Sequence, residues 1–159
     1  MKLYRFSGAT LLSVDEKSRL LVPADVRRRL DDQDTDVWVI KIGNNGKMWL
    51  YPERFYESKV YDTENEPGTE IDEIDPTPAQ IDRMIARSAD IQRVAMDKAG
   101  RILLPDLLMS LTGVGRGEVV LLGVFNHLQL WSKADYAERQ KQKSVDALRA
   151  SQPLDESNT

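Results

Sequence analysis

The sequence predicts a mainly β protein with short helices, of the α+β class, in which one β module is duplicated about a pseudo-two-fold axis. Three observations support this fold class. An internal repeat recurs after 82 residues, apolar and polar residues alternate at strand-like spacing, and hairpin signals occur at matching places in both copies. A chain of 159 residues suits one domain, or two small domains that fold together.

The repeat is clearest around a turn with the spacing Asp-x-x-x-Arg. Residues 14–23 read Val-Asp-Glu-Lys-Ser-Arg-Leu-Leu-Val-Pro, and residues 96–105 read Met-Asp-Lys-Ala-Gly-Arg-Ile-Leu-Leu-Pro. Two copies are too few for a solenoid and indicate a duplicated module. The shift between the copies superimposes Asp15 on Asp97, Arg19 on Arg101 and Pro23 on Pro105.

Each copy begins with strand, turn, strand and short helix. The first strand alternates apolar and polar residues, and the second ends at a proline, which cannot donate to a ladder. Gly113 is expected to end the short helix of the second copy. The predicted ranges are 9–14, 19–22 and 24–30 in the first copy, and 91–96, 101–104 and 106–111 in the second.

A hairpin follows in each copy. In the first, residues 37–42 are expected to pair with 48–51 across Gly43-Asn44-Asn45-Gly46, because Asn-Gly is a strong hairpin signal. In the second, residues 119–124 pair with 128–131 across Asn126-His127, which puts His127 at a hairpin tip in a surface or capping role. Three tryptophans fall in predicted strands and are interpreted as packing residues: Trp38, Trp49 and Trp131.

These elements divide the chain into four segments. Helix starts are expected after each hairpin, at Pro52-Glu53 and at Ser132 to Asp135, and at Thr77 to Gln80, where an N-cap threonine precedes proline. The acidic segment before Thr77 is expected to be mobile and the last residues to be disordered. The predicted boundaries are 5–60 for the first module, 61–76 for the acidic linker, 77–150 for the second module with its C-terminal helix, and 151–159 for the tail.

The charge is segregated along the chain, although the net charge is −4. Residues 1–30 hold seven Lys or Arg against three acids, and residues 31–75 hold thirteen acids against four bases. Such blocks of opposite sign indicate a local basic surface beside an acidic segment, so the overall charge does not exclude a polyanionic partner.

Composition excludes several classes of function. Without cysteine and with one histidine, the chain cannot build a disulfide scaffold, a thiol nucleophile or a Cys- or His-rich metal site. It has no Gly-rich phosphate loop and no nucleophile motif, so we expect neither an enzyme nor a cofactor. No apolar run approaches a membrane span and no signal peptide is visible, so a cytoplasmic protein without membrane contact is expected.

The repeated turn has two interpretations. In the structural one, Asp15 and Asp97 accept hydrogen bonds from turn amides and each pairs with its arginine. In the functional one, the arginine presents its guanidinium to a phosphate or a guanine edge, helped by Lys17 or Lys98. The run 27–29 of three arginines is likewise either a solvated helix face or a phosphate contact.

These motifs resemble those of the MraZ family of bacterial transcriptional regulators. Four segments resemble the N-terminal half of the family: Phe6-Ser7-Gly8-Ala9, Asp15 to Arg19, Val22-Pro23 and Arg27. Three segments resemble its second half: Asp97 to Pro105, Glu118 to Asn126 and Leu130-Trp131. The first copy also resembles the wider AbrB class of swapped-hairpin DNA-binding domains through Asp15 to Arg28.

The resemblance implies two swapped-hairpin β-barrel modules in one chain, which assemble into a ring-shaped homo-oligomer. It also implies sequence-specific binding of double-stranded DNA at repeated operator sites, repression of the protein's own division and cell-wall operon, and association with the nucleoid. The residues that the resemblance assigns to DNA contact are Lys17, Arg19, Arg27, Arg28, Lys98 and Arg101, with Asp15 and Asp97 as structural residues of the turns.

The chain departs from the family pattern at Ser18, where the family usually has glycine. Serine adopts a positive φ only at a steric cost that glycine avoids. The alternative function is an AbrB- or antitoxin-like protein-interaction module, because swapped-hairpin domains also occur in antitoxins. A gel shift with upstream DNA, set against a pull-down of a bound partner, separates the two functions.

Overall fold

The computed structural model describes residues 5–67, 70–71 and 74–151, and these form one antiparallel sheet with five α-helices on its outside and at its ends. The predicted mainly β class with short helices is confirmed. The strands are β1 Ala9–Val14, β2 Arg19–Leu21, β3 Val37–Ile42, β4 Met48–Pro52, β5 Ile91–Ala95, β6 Arg101–Leu103, β7 Gly117–Val124 and β8 His127–Ser132. The helices are α1 Ala24–Arg28, α2 Glu53–Glu64, α3 Pro78–Met84, continued by a π-helical turn Ile85–Ala89, α4 Asp106–Thr112 and α5 Lys133–Ser151.

The strands of the two repeats are interleaved. The order across the sheet is β5-β3-β4-β8-β7-β1-β2-β6, so the first strand of each repeat pairs with the third strand of the other. The edge strands β5 and β6 follow each other in the chain and meet at a turn, where Asp97 N–H donates to Arg101 C=O at 2.9 Å. The sheet therefore nearly closes into a barrel.

Two strand pairs lie on the pseudo-two-fold axis. In one, Leu20 of β2 faces Ile102 of β6, and in the other Trp49 of β4 faces Gln129 of β8. Leu20 and Ile102 are superimposed by the repeat and are both fully buried in the barrel core. The duplicated module predicted from the repeat is thus confirmed as two copies that exchange strands.

The barrel interior explains the alternation in the strands. The even-numbered residues of β3 and β4 point inward, so Trp38, Ile40, Met48 and Leu50 join Leu128 and Leu130 in the core. On the outside, α2 covers part of the sheet, with Tyr56 packed against Val39 and Ile91. Burial on both faces gives β3 its nearly continuous apolar run.

The helix ends follow the predicted signals in several places. Thr77 caps α3 with a full capping box, since its hydroxyl accepts from Gln80 N–H and the Gln80 side chain accepts from Thr77 N–H. Gly113 ends α4 in the left-handed region with φ 75°. Among the described helices, none combines the length and the apolar content needed to cross a bilayer.

Three local expectations are corrected. The second hairpin turns at Phe125 and Asn126, with φ 60° at Phe125, so His127 is the first residue of β8 and lies outside the turn. Helix α2 continues through Glu64, so the first four residues of the predicted linker are helical. Ser151, the first residue of the predicted tail, ends α5, and the rest of that tail, 152–159, lies outside the described residues.

Candidate nucleic-acid interface

Both Asp-x-x-x-Arg turns have the same hydrogen-bonded geometry. The Asp15 carboxylate accepts from the backbone N–H of Lys17 at 2.9 Å and of Arg19 at 2.8 Å, and its second oxygen accepts from Arg19 Nε at 2.8 Å. These amides, Arg19 N–H foremost, hold the pKa of Asp15 below its usual value. The carboxylate is therefore ionised and fully engaged in shaping the turn at neutral pH.

The second turn repeats this arrangement. Asp97 accepts from the backbone N–H of Ala99 and of Arg101, each at 2.9 Å, and from Arg101 Nε at 2.8 Å. The same cause, led by Arg101 N–H, lowers the pKa of Asp97. The structural interpretation of the repeated turn thus describes the contacts of both aspartates.

The aspartates leave the outer end of each guanidinium available. In the described part of the chain, the side-chain hydrogen bonds of Arg19 and Arg101 engage Nε alone, and both side chains are partly exposed at 32% and 40%. Each guanidinium is fixed through its Nε, and the hydrogen bonds of the described side chains leave its two terminal nitrogens for a further partner. A fixed fork of N–H donors is the arrangement that recognises a phosphate or the O6 and N7 of guanine.

Pairing of β2 with β6 places both arginines on one face of the sheet. Arg19 lies opposite Leu103 and Arg101 lies opposite Leu21, while Leu20 and Ile102 between them point into the core. We name the outer face of β2 and β6 the ribbon face, defined by Arg19, Leu21, Arg101 and Leu103. The turns that carry Lys17 and Lys98 lie at its two ends, and both lysines are exposed.

The α1 arginines differ from one another in their surroundings. Arg27 is partly buried, donates from Nε to the Val22 carbonyl at 3.1 Å, and lies against Gly100, where an added Cβ would come within 2.9 Å of its guanidinium carbon. Arg28 is exposed at the end of the helix. Arg27 therefore packs the first repeat against the turn of the second. Arg28 is the more exposed of the two arginines.

Sequence reasoning missed one cation beside this face. Arg116 is exposed, and its Nε approaches the Ser18 hydroxyl of the first turn at 3.4 Å. The two residues are 98 positions apart, and the contact arises because β7, which Arg116 precedes, pairs with β1. No local motif marks Arg116, so only the interleaved topology identifies it.

His127 has a structural environment and lies in the sheet. It is only 7% exposed and stacks on Trp49 at 4.5 Å and on Tyr51 at 4.9 Å between ring centroids. Its Nε2 contacts Gln129 Nε2 at 3.0 Å and its Nδ1 contacts Asn126 Oδ1 at 2.8 Å. Burial lowers the pKa of His127 to about 4. The expected surface role is therefore wrong, and the imidazole is neutral at pH 7.

The fold and the ribbon face together define a class of protein: a duplicated, strand-exchanged β module that presents two aspartate-held arginines on one exposed face. Residues 89–153 match the family described as "MraZ protein, putative antitoxin-like". A "Transcriptional regulator MraZ" of Neisseria meningitidis is 32% identical over 131 residues, covering 82% of each chain. One of Pseudoalteromonas translucida is 30% identical over 142 residues, covering 86% of each chain. The chain belongs to the MraZ family.

A solved structure was also found to be similar. The solution structure of PHS018 from Pyrococcus horikoshii matches with a TM-score of 0.33 and 12% identity, over 80% of this chain and 91% of that one. This likeness is too low to bear on the fold. The similarity to the curated relatives extends over most of the chain, and it confirms the family that the turn motifs predict.

Proposed function

We propose that this protein is a sequence-specific transcriptional regulator that binds double-stranded DNA through the ribbon face. The observation that carries the proposal is the register of β2 with β6, which brings the arginines of both repeats to one exposed surface. The curated relatives are named transcriptional regulators, which supports the same function. On this proposal the protein acts in the cytoplasm, in association with the nucleoid.

A two-stranded antiparallel ribbon fits the DNA major groove, which is about 12 Å wide. In this arrangement Arg19 and Arg101 reach the base edges or the nearest phosphates, and Lys17 and Lys98 approach the backbone from the two ends of the ribbon. Arg28 adds a phosphate contact, and Arg27 supports the second turn with its outer nitrogens toward the DNA. Both turns enter the proposal together, since the pairing of β2 with β6 puts Arg19 and Arg101 on the same face, with one turn at each end of the ribbon.

The expected operator consists of repeated sites bound by a ring of this chain, and the regulated genes are its own division and cell-wall operon, which it represses. Exposed apolar side chains support self-association. Leu107 and Leu111 lie one turn apart on α4, and Ile81, Met84 and Ile85 lie together on α3 and the π-helical turn, all exposed. Such patches are typical of interaction surfaces. Light scattering at micromolar concentration should report an assembly larger than a dimer.

The deciding experiment measures affinity for the DNA upstream of the gene. We expect Arg19→Ala and Arg101→Ala each to weaken binding about five- to 150-fold, since a good arginine–base contact contributes about 1–3 kcal/mol. In a ring that engages several repeats, avidity enlarges the loss. The slope of log affinity against log salt should become shallower by about one for each phosphate contact removed.

Arg93→Ala is the matched control. Arg93 is exposed and paired with carboxylates, at 3.2 Å to Glu53 and 3.0 Å to Glu57, but it lies on β5 outside the ribbon face. The substitution Arg93→Ala removes the same charge from the protein as Arg19→Ala and should leave the affinity for DNA nearly unchanged. Arg19→Lys separates the two kinds of contact, since lysine retains a phosphate contact but cannot reproduce the arginine fork. If Arg19→Ala retains its fold and binds the operator like wild type, the proposal is wrong.

The words "antitoxin-like" in the family description make a protein partner the second candidate. The two functions respond differently to salt, because only DNA binding releases condensed counterions in proportion to the phosphates contacted. A pull-down that enriches one partner, together with absence of any gel shift on upstream DNA, would favour the second candidate.

A further inference from the structure

Two of the four side chains that define the ribbon face are leucines, and both are exposed to solvent. Leu21 on β2 is 50% exposed and Leu103 on β6 is 60% exposed. The register places Leu21 beside Arg101 and Leu103 beside Arg19, so the four side chains form a small checkerboard. The core beneath them is already filled by Leu20 and Ile102, which are fully buried. The outward leucines therefore have no role in the barrel core.

A single exposed leucine on a protein surface needs no explanation. These two differ because they occupy the same position of both repeats, two residues after the motif arginine. A strand with one solvated face usually carries polar residues outward. Here the outward residues alternate between a fixed cation and an apolar side chain on both strands, and this pattern indicates a ligand that offers both chemistries.

The major groove of DNA offers both. Guanine presents two acceptors suited to arginine, and thymine presents a C5-methyl group, which is the apolar group among the base edges. Charge complementarity favours DNA as the occupant. The four cations of the face and its turns are opposed by Asp15, Glu16 and Asp97, which leaves a net positive charge. The exposed Arg116, next to the first turn, adds to it. We propose that Leu21 and Leu103 read thymine methyl groups in the operator, an inference that rests on the proposed DNA-binding function.

The geometry also sets the spacing of the bases. Diagonal neighbours across an antiparallel pair lie about 7–8 Å apart. That separation corresponds to about two base-pair steps of 3.4 Å along the axis of the duplex. Because the pseudo-two-fold axis relates the two leucines, the two thymines lie on opposite strands of the duplex, about two steps apart.

The test replaces thymine by deoxyuridine, which removes only the methyl group. The probes are an upstream duplex that the wild-type full-length protein binds, and the same duplex with each thymine replaced in turn. For wild type, we expect two positions on opposite strands, about two steps apart, at which the replacement weakens binding about three- to fivefold, the effect of one buried methyl group. The double variant Leu21→Ala/Leu103→Ala should bind the thymine duplex more weakly and lose this sensitivity.

Leu148→Ala is the control variant. Leu148 is 64% exposed on α5, whose main contacts are with β7 and β8, and its removal should leave both affinity and methyl sensitivity unchanged. Melting temperatures check that the variants fold, and the deoxyuridine scan of wild type requires no variant. The inference is overturned if the double variant keeps the methyl sensitivity of wild type, or if wild type binds the duplex and shows no methyl sensitivity. In both cases the proposed DNA-binding function is unaffected. Wild type that shifts no upstream duplex overturns the proposed function and this inference with it.

Discussion

At the scale of single residues, Ser18 adopts a left-handed backbone conformation that glycine adopts at the equivalent position of the second repeat. Ser18 has φ 62° and its equivalent, Gly100, has φ 89°. A residue other than glycine pays about 1–2 kcal/mol of steric energy in the left-handed region. Glycine avoids this cost, but it makes the unfolded chain more flexible, which offsets part of the gain in stability. We expect Ser18→Gly to stabilise the protein by about 0.5–1 kcal/mol, a rise of a few degrees in melting temperature.

Gly100→Ala should have the opposite sign. It adds a Cβ at a positive φ and within 2.9 Å of the Arg27 side chain, so we expect a loss of about 1–2 kcal/mol. Gly115→Ala is the matched control, because no atom lies within 4 Å of the new Cβ. Equal melting temperatures for Gly100→Ala and Gly115→Ala would show that the second turn is not strained by a side chain.

His127 makes stability depend on pH. Gln129 Oε1 accepts from Asn45 and from Trp131, each at 3.0 Å, so Gln129 Nε2 is the donor to His127 Nε2. A second proton on the imidazole would face that donor. Because the folded pKa of about 4 lies below the ordinary 6.5, the unfolded chain takes up the proton first as the pH falls.

The consequence is a loss of stability between pH 6.5 and pH 4, which approaches about 3 kcal/mol and is absent above that window. Urea unfolding at a series of pH values measures it. His127→Gln, which does not titrate, should flatten the curve across this window. The lowered pKa values of Asp15 and Asp97 affect stability only at lower pH, below about 3.8, so the two contributions separate. A wild-type curve as flat as that of the variant would contradict the assignment.

Local signals predicted the turns well but missed contacts between distant residues. Asp15, Arg19 and their equivalents are hydrogen-bonded within four residues, so a single motif contains the whole interaction. His127 stacks on side chains more than 70 positions away, and its place one residue inside β8 left no pattern to mark it as buried. The exchange of strands between repeats creates such contacts, and periodicity carries no information about them.

At the scale of elements, capping decides where α3 begins. The Thr77 hydroxyl accepts from Gln80 N–H at 3.2 Å, and the Gln80 side chain also donates to Glu70 C=O at 2.9 Å. Thr77→Ala should destabilise the protein by about 1 kcal/mol, with a fall of about 2–4 °C in melting temperature. Thr77→Ser keeps the hydroxyl and is expected to match wild type. If both variants melt together, the cap does not contribute to stability.

The predicted elements were most accurate where proline, glycine or Asn-Gly punctuates the chain. The turn between β3 and β4, the start of α3 and the end of α4 follow such signals directly. The length of α2 was not predicted, because its last turn is acidic and has no apolar periodicity. That turn is stabilised by tertiary contact, since Glu64 forms an ion pair with Arg87 of the π-helical turn. From its charge composition alone, this last turn of α2 is predicted to be part of a linker.

At the scale of the whole molecule, the interleaved sheet makes each repeat depend on the other. Strand β1 pairs with β7, and β3 pairs with β5, so a half of the chain isolated on either side of Thr77 would lack both of these ladders and the two pairs on the pseudo-two-fold axis. Separation of the halves would also expose core residues such as Leu20, Trp38 and Ile102. A half of about 80 residues cannot compensate for that loss of buried apolar surface.

We therefore expect that neither residues 1–76 nor residues 77–159 form a folded monomer alone, and that mixing the two fragments restores the sheet. Circular dichroism and light scattering on each fragment and on the equimolar mixture measure this. The mixture should show cooperative unfolding that neither fragment shows as a monomer, because the edges left by β1 and β3 are complementary only to strands of the other fragment. The control is the intact chain cleaved after folding, which should stay associated. A single fragment that unfolds cooperatively as a monomer would show that the repeats fold independently and join afterwards.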